Sequence, residues 1–237
     1  MSTIEINVHG SGNAIRPAER AILSLSAQSG RLSTAAEASA VVTATANAIR
    51  EKIVPYCPQD EETGRTLPGE PIAHYSMSTM DTTSGRELAA EEKYTTYYTA
   101  RAAFDIKFQD FGVLNKLATE FSAMQYVTIS GVNWKLTDAT MESIRGGARK
   151  RAAIDAVQRA WDYAEVFAGV TGGDAELKKR VRAVSVTEDH YYTQSSRPKL
   201  HYGKGERGTR TGREELQFAP EDVQLDVTVN AKFLVTV

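Results

Sequence analysis

At 237 residues, 41% apolar and 24% charged, the chain has the make-up of a soluble globular protein long enough to bury a proper core. A net charge of −2 gives no overall pull toward nucleic acid or anionic lipid, and the single cysteine, Cys57, excludes an intramolecular disulfide and a zinc site built from cysteines. The opening residues lack the basic and apolar regions of a secretory signal and no run of 18 apolar residues occurs, so no membrane span is expected and a cytoplasmic location is the default.

Ile4, Ile6 and Val8 alternate with polar residues, the pattern of a half-buried strand. "GSGNAIRP" reads as a turn-rich break, after which Ala21, Leu23, Leu25 and Ala27 resume the alternation. From Ser33 the apolar period changes to three and four through Ala38, Val41, Val42, Thr45, Ala48, Ile49, Lys52 and Ile53, which predicts a helix to about Val54, capped by Ser33 or Thr34 and stopped by Pro55. Residues 58–71 read as an exposed loop, 72–80 as a strand and 81–92 as a polar break.

The clearest strand follows, with Tyr94, Thr96, Tyr98, Ala100, Ala102, Phe104, Ile106 and Phe108 on one face. It would run to roughly 50 Å unbroken, so a bend or bulge is expected in it. Asp110 caps a second helix with a stripe of Phe111, Leu114, Leu117, Ala118, Phe121 and Met124. In "QYVTISGVNWKL" the apolar phase shifts at Gly131, the signature of a β-bulge. A long helix spans about 138–168 and ends at Gly169. "KKRVRAVSVTED" reads as a strand, 193–216 as a loop, and Val223 to Val237 as a closing strand with every second residue apolar. The fold class is therefore α+β: long antiparallel strands covered by three helices, in the order ββα-ββα-βα-ββ.

The long helix carries alanine at 148, 152, 156, 160, 164 and 168. Residues four apart form an inclined ridge, and a ridge of small side chains lets a second backbone approach closely. Packing on the helix's own sheet, or on the 34–54 helix, is the favoured reading; docking of a partner is the alternative. Val157, Trp161 and Phe167 flank the ridge, and Arg149, Lys150, Arg151 and Arg159 suit exposed positions.

That helix, "RGGARKRAAIDAVQRAWDYAEVFAG", resembles the A-x3-A-x2-DA-x2-[KR]A-x3-A-x3-AG pattern of the SIMPL domain family. "IEINVHGSGNAIRPAERAILSLSAQ", "STAAEASAVVTATANAIREKI", "YTARAAFDIKFQDFGVLNKL", "ISGVNWKLTD" and "APEDVQLDVTVNAKFLV" are similar to further family segments in the family's order, so the likeness covers nearly the whole chain. The family takes in a mammalian adaptor that binds an interleukin-receptor-associated kinase and bacterial periplasmic immunogenic proteins, some reported to form rings, and many members have no known function. The resemblance thus implies one SIMPL-like domain over 1–237, with two ββα stretches as candidate subdomains. It also implies protein partners and a homo-oligomer. It supplies no catalytic residues; unlike bacterial members, this chain is expected to have no signal, and its loops at 58–71 and 193–216 read as long.

Candidate chemistry is sparse. The G-x-G of "HGSGNA" is followed by Pro17 and a strand, not by the helix N-terminus that a phosphate cradle needs, so a tight turn is expected. His9, His74, His190 and His201 show no metal-ligand spacing, and Cys57 lies between prolines with no basic neighbour. The pairs Glu61–Glu62, Glu91–Glu92 and Glu214–Glu215 lie in polar loops, and Tyr94, Tyr97 and Tyr98 suit a core or an interface. Arg197, Lys199, Lys204, Arg207, Arg210 and Arg213, with Tyr202, form one locally basic stretch able to meet RNA or an acidic partner. The expectation is a non-enzymatic assembly or adaptor protein without cofactor, metal or catalytic site. A binding module built on the basic loop is the alternative, and an enzyme with a site invisible in sequence comes third.

Overall fold

A computed structural model describes residues 2–60, 62–88, 94–171, 173–197 and 217–237. In chain order the elements are β1 (Thr3–Pro17), β2 (Arg20–Gln28), α1 (Ala35–Ile53), β3 (Ile72–Met77), β4 (Asp81–Leu88), β5 (Tyr94–Phe108), α2 (Phe111–Ser122), β6 (Val127–Lys135), α3 (Asp138–Ala168), α4 (Asp174–Arg180), β7 (Val181–Arg197) and β8 (Asp222–Thr236). The class is α+β with antiparallel sheets, as expected, and the order differs in three places. The break expected at 81–92 contains β4, a strand whose sequence DTTSGREL has no apolar alternation because nearly all of it is exposed. A fourth helix, α4, precedes β7 and takes in Lys178, Lys179 and Arg180, so that strand begins at Val181 and not at Lys178. The stretch 193–197 is strand and not loop.

The chain forms two compact units. The first holds β1, β8 and β7 as a three-stranded sheet in that order, with α3 on one face. β1 and β8 pair without interruption from Thr3↔Thr236 to Pro17↔Asp222. The turn expected at "GSGNAIRP" is therefore absent: Gly10 and Gly12 lie inside a 15-residue strand. Their smallness serves packing. A Cβ on Gly10 would stand 2.7 Å from the Ala156 N and Cβ atoms and closer still to the Ala152 carbonyl oxygen. One on Gly12 would stand 2.5 Å from Ala152 N and closer to the Ala148 carbonyl. Ala148, Ala152, Ala156, Ala160 and Ala164 are all fully buried, so the ridge packs on the helix's own sheet, backbone nearly against backbone. Opposite them lie Val223, Leu225, Val227, Val229, Ala231, Phe233 and Val235 of β8, all buried, while Val237, expected on the same face, is 51% exposed beyond the strand's end.

α3 is bounded as its sequence demands. The Thr137 side chain accepts from the Thr140 N–H at one end, and Gly169 takes a left-handed φ of 60° at the other.

The second unit runs β2-α1-β3-β4-β5-α2-β6, with sheet order β3-β5-β2-β6 and every neighbour antiparallel. Setting β4 aside, this is the split β-α-β arrangement of ferredoxin-like folds. Thr34 caps α1 by accepting from the Glu37 N–H, and Asp110 caps α2 by accepting from Gly112 and Val113. Leu23, Leu25, Phe104, Ile106 and Phe108 of the strands are buried with Val42 and Ile49 of α1 and Leu114, Leu117 and Phe121 of α2. The bulge forecast at Gly131 is present: Ser24 pairs with Gly131 and Leu25 with Ile129, leaving Ser130 as the extra residue. Of the bend or bulge expected in β5, the bulge is not found: β5 pairs in unbroken register with β2 and β4, and the irregularity sits opposite it between Ile72 and His74.

Candidate functional site

With its alanine ridge buried, α3 presents the rest of its circumference, and four-residue spacing sorts that surface into rows. On the β1 side run Arg151, Asp155, Arg159, Tyr163 and Phe167. Arg151 donates to the Asn13 carbonyl, and Asp155 accepts from the Ser11 N–H at 2.8 Å and from Arg159 Nε at 3.1 Å. The Ser11 N–H first, and Arg159 after it, hold the Asp155 carboxyl below its ordinary pKa. Tyr163 and Phe167 wall an open groove of about 440 Å³ with Ile4, Glu5 and Ile6.

On the β7 side run Arg149, Ala153, Val157 and Trp161. Arg149 pairs with Glu188 at 3.0 Å, and Lys178 of α4 stands 6.0 Å from the Trp161 ring centre. Between the two rows, on the outermost face, Ile154 is 68% and Val166 76% exposed, and Phe167 beside them is 69% exposed. The basic residues Arg149, Lys150, Arg151 and Arg159 are exposed, as their charge requires. The helix thus combines a dry inner ridge with an outer row in which the exposed Ile154 and Val166 are separated by Gln158 and Asp162, themselves joined by a hydrogen bond of 3.0 Å.

The polar residues weighed from sequence scatter over the molecule. His9 faces away from α3 and hydrogen-bonds Asn230 Oδ1, while Asn230 Nδ2 donates to Asp189 Oδ2 at 2.9 Å, a row across all three strands. His74 is exposed on β3; the His190 side chain and all of His201 lie outside the described residues. Among the described residues no three His, Cys, Asp or Glu side chains gather as a metal-binding group. Cys57 is buried, its Sγ 3.2 Å from Thr66 Oγ1. Tyr97 lies over Gly85 on one side and 4.6 Å from the Arg31 guanidinium on the other, with Arg31 paired to Glu87 at 2.7 Å. Tyr94 is 71% exposed. The acid pairs at 91–92 and 214–215, Glu61, and the basic stretch apart from the backbone of Arg197 lie outside the described residues.

The site features are thus surfaces, and the class defined is an α+β protein with a long small-residue helix clamped to a three-stranded sheet and a split β-α-β unit. The model of the SIMPL family, described as a protein of unknown function (DUF541), matches residues 6–233, and the chain belongs to that family. A comparison with curated proteins finds no match. No helix among the described residues is long and apolar enough to cross a membrane. The exposed apolar residues of α3 were only partly visible in sequence: Val157, Trp161 and Phe167 stood out by size, but nothing in the order of residues told which flank of the ridge would face water.

Proposed function

We propose that this chain is a non-enzymatic SIMPL-family protein of the cytoplasm that acts through protein–protein contacts, as an assembly or adaptor component, and that it associates with itself. One observation carries the reading: Ile154 and Val166 on the outermost row of α3, and Phe167 on the row beside it, are each more than two-thirds exposed. Single exposed apolar residues need no explanation, but here they cluster, Ile154 with Val157 and Trp161 and, beyond Gln158 and Asp162, Val166 with Tyr163 and Phe167, and clustered apolar surface is a feature of interaction sites. The groove beside Ile154, lined by Ala153, Val157, Gln158 and Trp161, extends the same face. Its removal from water is the driving force for association.

Light scattering of the full chain at tens of micromolar tests the reading. An assembly of two or more copies is the expected result, and Ile154→Asp combined with Val166→Asp should return it to the 25.9 kDa monomer with an unchanged circular dichroism spectrum. A wild-type chain that stays monomeric throughout that range refutes self-association.

A further inference from the structure

The free edge of β1 is closed along one half and open along the other. In an antiparallel ladder alternate residues direct both backbone groups to the neighbouring strand, and those between direct both outward. Ser2 accepts from Val237 of the β8 end through its carbonyl, so even-numbered residues of β1 face β8 and odd-numbered ones face out. Side chains then cap the outward groups of the C-terminal half: Asp155 takes the Ser11 N–H, Arg151 the Asn13 carbonyl and Arg16 the Ile15 carbonyl. Over Glu5 the α3 row changes to Tyr163 and Phe167; Phe167 has no polar atom with which to cap, and the Tyr163 hydroxyl makes no hydrogen bond to the strand among the described residues. Among the described residues no hydrogen bond reaches the outward backbone groups of Glu5, Asn7 and His9. The result is a strand edge with unpaired donors and acceptors beneath an aromatic rail, the components of strand addition.

We infer that the Glu5–His9 edge of β1 is a β-augmentation site that takes one extended segment of a partner polypeptide, uncharged, with apolar side chains on the α3 face alternating with small polar ones on the other. This rests on protein–protein contact as the mode of action and not on self-association. Two observations fix the occupant. The charges along the slot are already matched, Glu5 with Lys232 at 2.9 Å and Arg159 with Asp155, so a charged residue would meet no unpaired counter-charge there. A second copy's β1 is excluded by size. Paired strands lie about 4.8 Å apart, whereas packed helices need roughly 8–10 Å, and a two-fold pairing of β1 edges would bring two copies of α3 over adjacent strands. Because α3 sits almost in backbone contact with β1 at Gly10 and Gly12, it has no room to step aside.

Selection of a phage-displayed random 12-residue library on the full chain, followed by synthesis of the recovered peptides, tests this. Expected are peptides of alternating apolar and small polar residues whose affinity falls at least tenfold on Asn7→Pro and on Phe167→Asp but is kept by Ile154→Asp with Val166→Asp. Proline at 7 removes only an outward N–H and so leaves the β1–β8 ladder intact. Amide exchange gives a second readout: the amides of Asn7 and His9 exchange fast in the free chain, that of Ser11 slowly, and saturating peptide slows the first two at least tenfold. Recovery of no peptide, or of peptides indifferent to Asn7→Pro, overturns the inference, as does protection of Asn7 and His9 by the chain's own concentration alone, which would make the occupant a second copy. A monomer by light scattering with edge binding intact sinks self-association and leaves the edge site standing.

Discussion

Gly10→Ala tests the contact on which the first unit is built. The added Cβ would stand 2.7 Å from Ala156 N and nearer still to the Ala152 carbonyl, where ordinary van der Waals contact begins near 3.4 Å. Backbone atoms of a 31-residue helix cannot rotate away as a side chain tip can, so α3 must retreat by roughly 1 Å. A gap of that size forfeits a quarter to a half of each dispersion contact beneath it, and overpacking of this kind costs about 1–3 kcal/mol. The rigid partner places this case near the top of that range. Alanine recovers about 0.4–1 kcal/mol by restricting the unfolded chain, leaving a net loss of roughly 2 kcal/mol. Thermal unfolding followed at 222 nm should show Tm lowered by about 4–8 °C. Gly30→Ala, where a Cβ meets nothing within 4 Å, serves as the control and should leave Tm unchanged or slightly raised. Equal Tm values for Gly10→Ala and wild type would refute the close packing of α3 on β1.

Three further outcomes are expected. Asp110→Ala removes the acceptor of two N–H groups at the start of α2 and should cost about 1 kcal/mol in urea denaturation, with Asp110→Asn recovering most of it. The Asp155 carboxyl is held below its ordinary value, so its contribution to stability is whole above the unfolded-state value near 4 and is lost as pH falls through the lower folded-state value; Asp155→Asn should flatten the stability profile across that acid window, read from urea midpoints at several pH values. Cys57, 3% exposed, should react with a thiol reagent only as fast as the second unit opens, and denaturant should restore reaction of one thiol per chain.

Where period and burial coincide, the sequence was legible. The alternation of Ala100 to Phe108 and of Val223 to Val235, the three- and four-residue spacing of α1 and α2, the caps at Thr34 and Asp110, and the phase shift at Gly131 each name a local structure because one face of each element is buried. β4 escaped because it lies almost wholly exposed on the edge of β5, so no alternation records it. Gly10 and Gly12 were misread because glycine marks either a turn or a close approach, and only the helix lying on them decides which. α4 is seven residues long, below the length at which an apolar stripe becomes distinct.

Of the candidate surface, the alanine row and the large residues beside it could be read directly, since a four-residue repeat on one helix is a local property. Which neighbour the row would meet was a non-local matter, settled when β1 and β8, more than two hundred residues apart, closed into one sheet beneath it. The division of the β1 edge into a capped and an open half belongs wholly to the tertiary structure. It depends on α3 carrying Arg151 and Asp155 past Asn13 and Ser11, but Tyr163 and Phe167 past Ile4 and Ile6. The amino-acid order determines which side chains share a row; only the folded chain determines which backbone groups that row can reach.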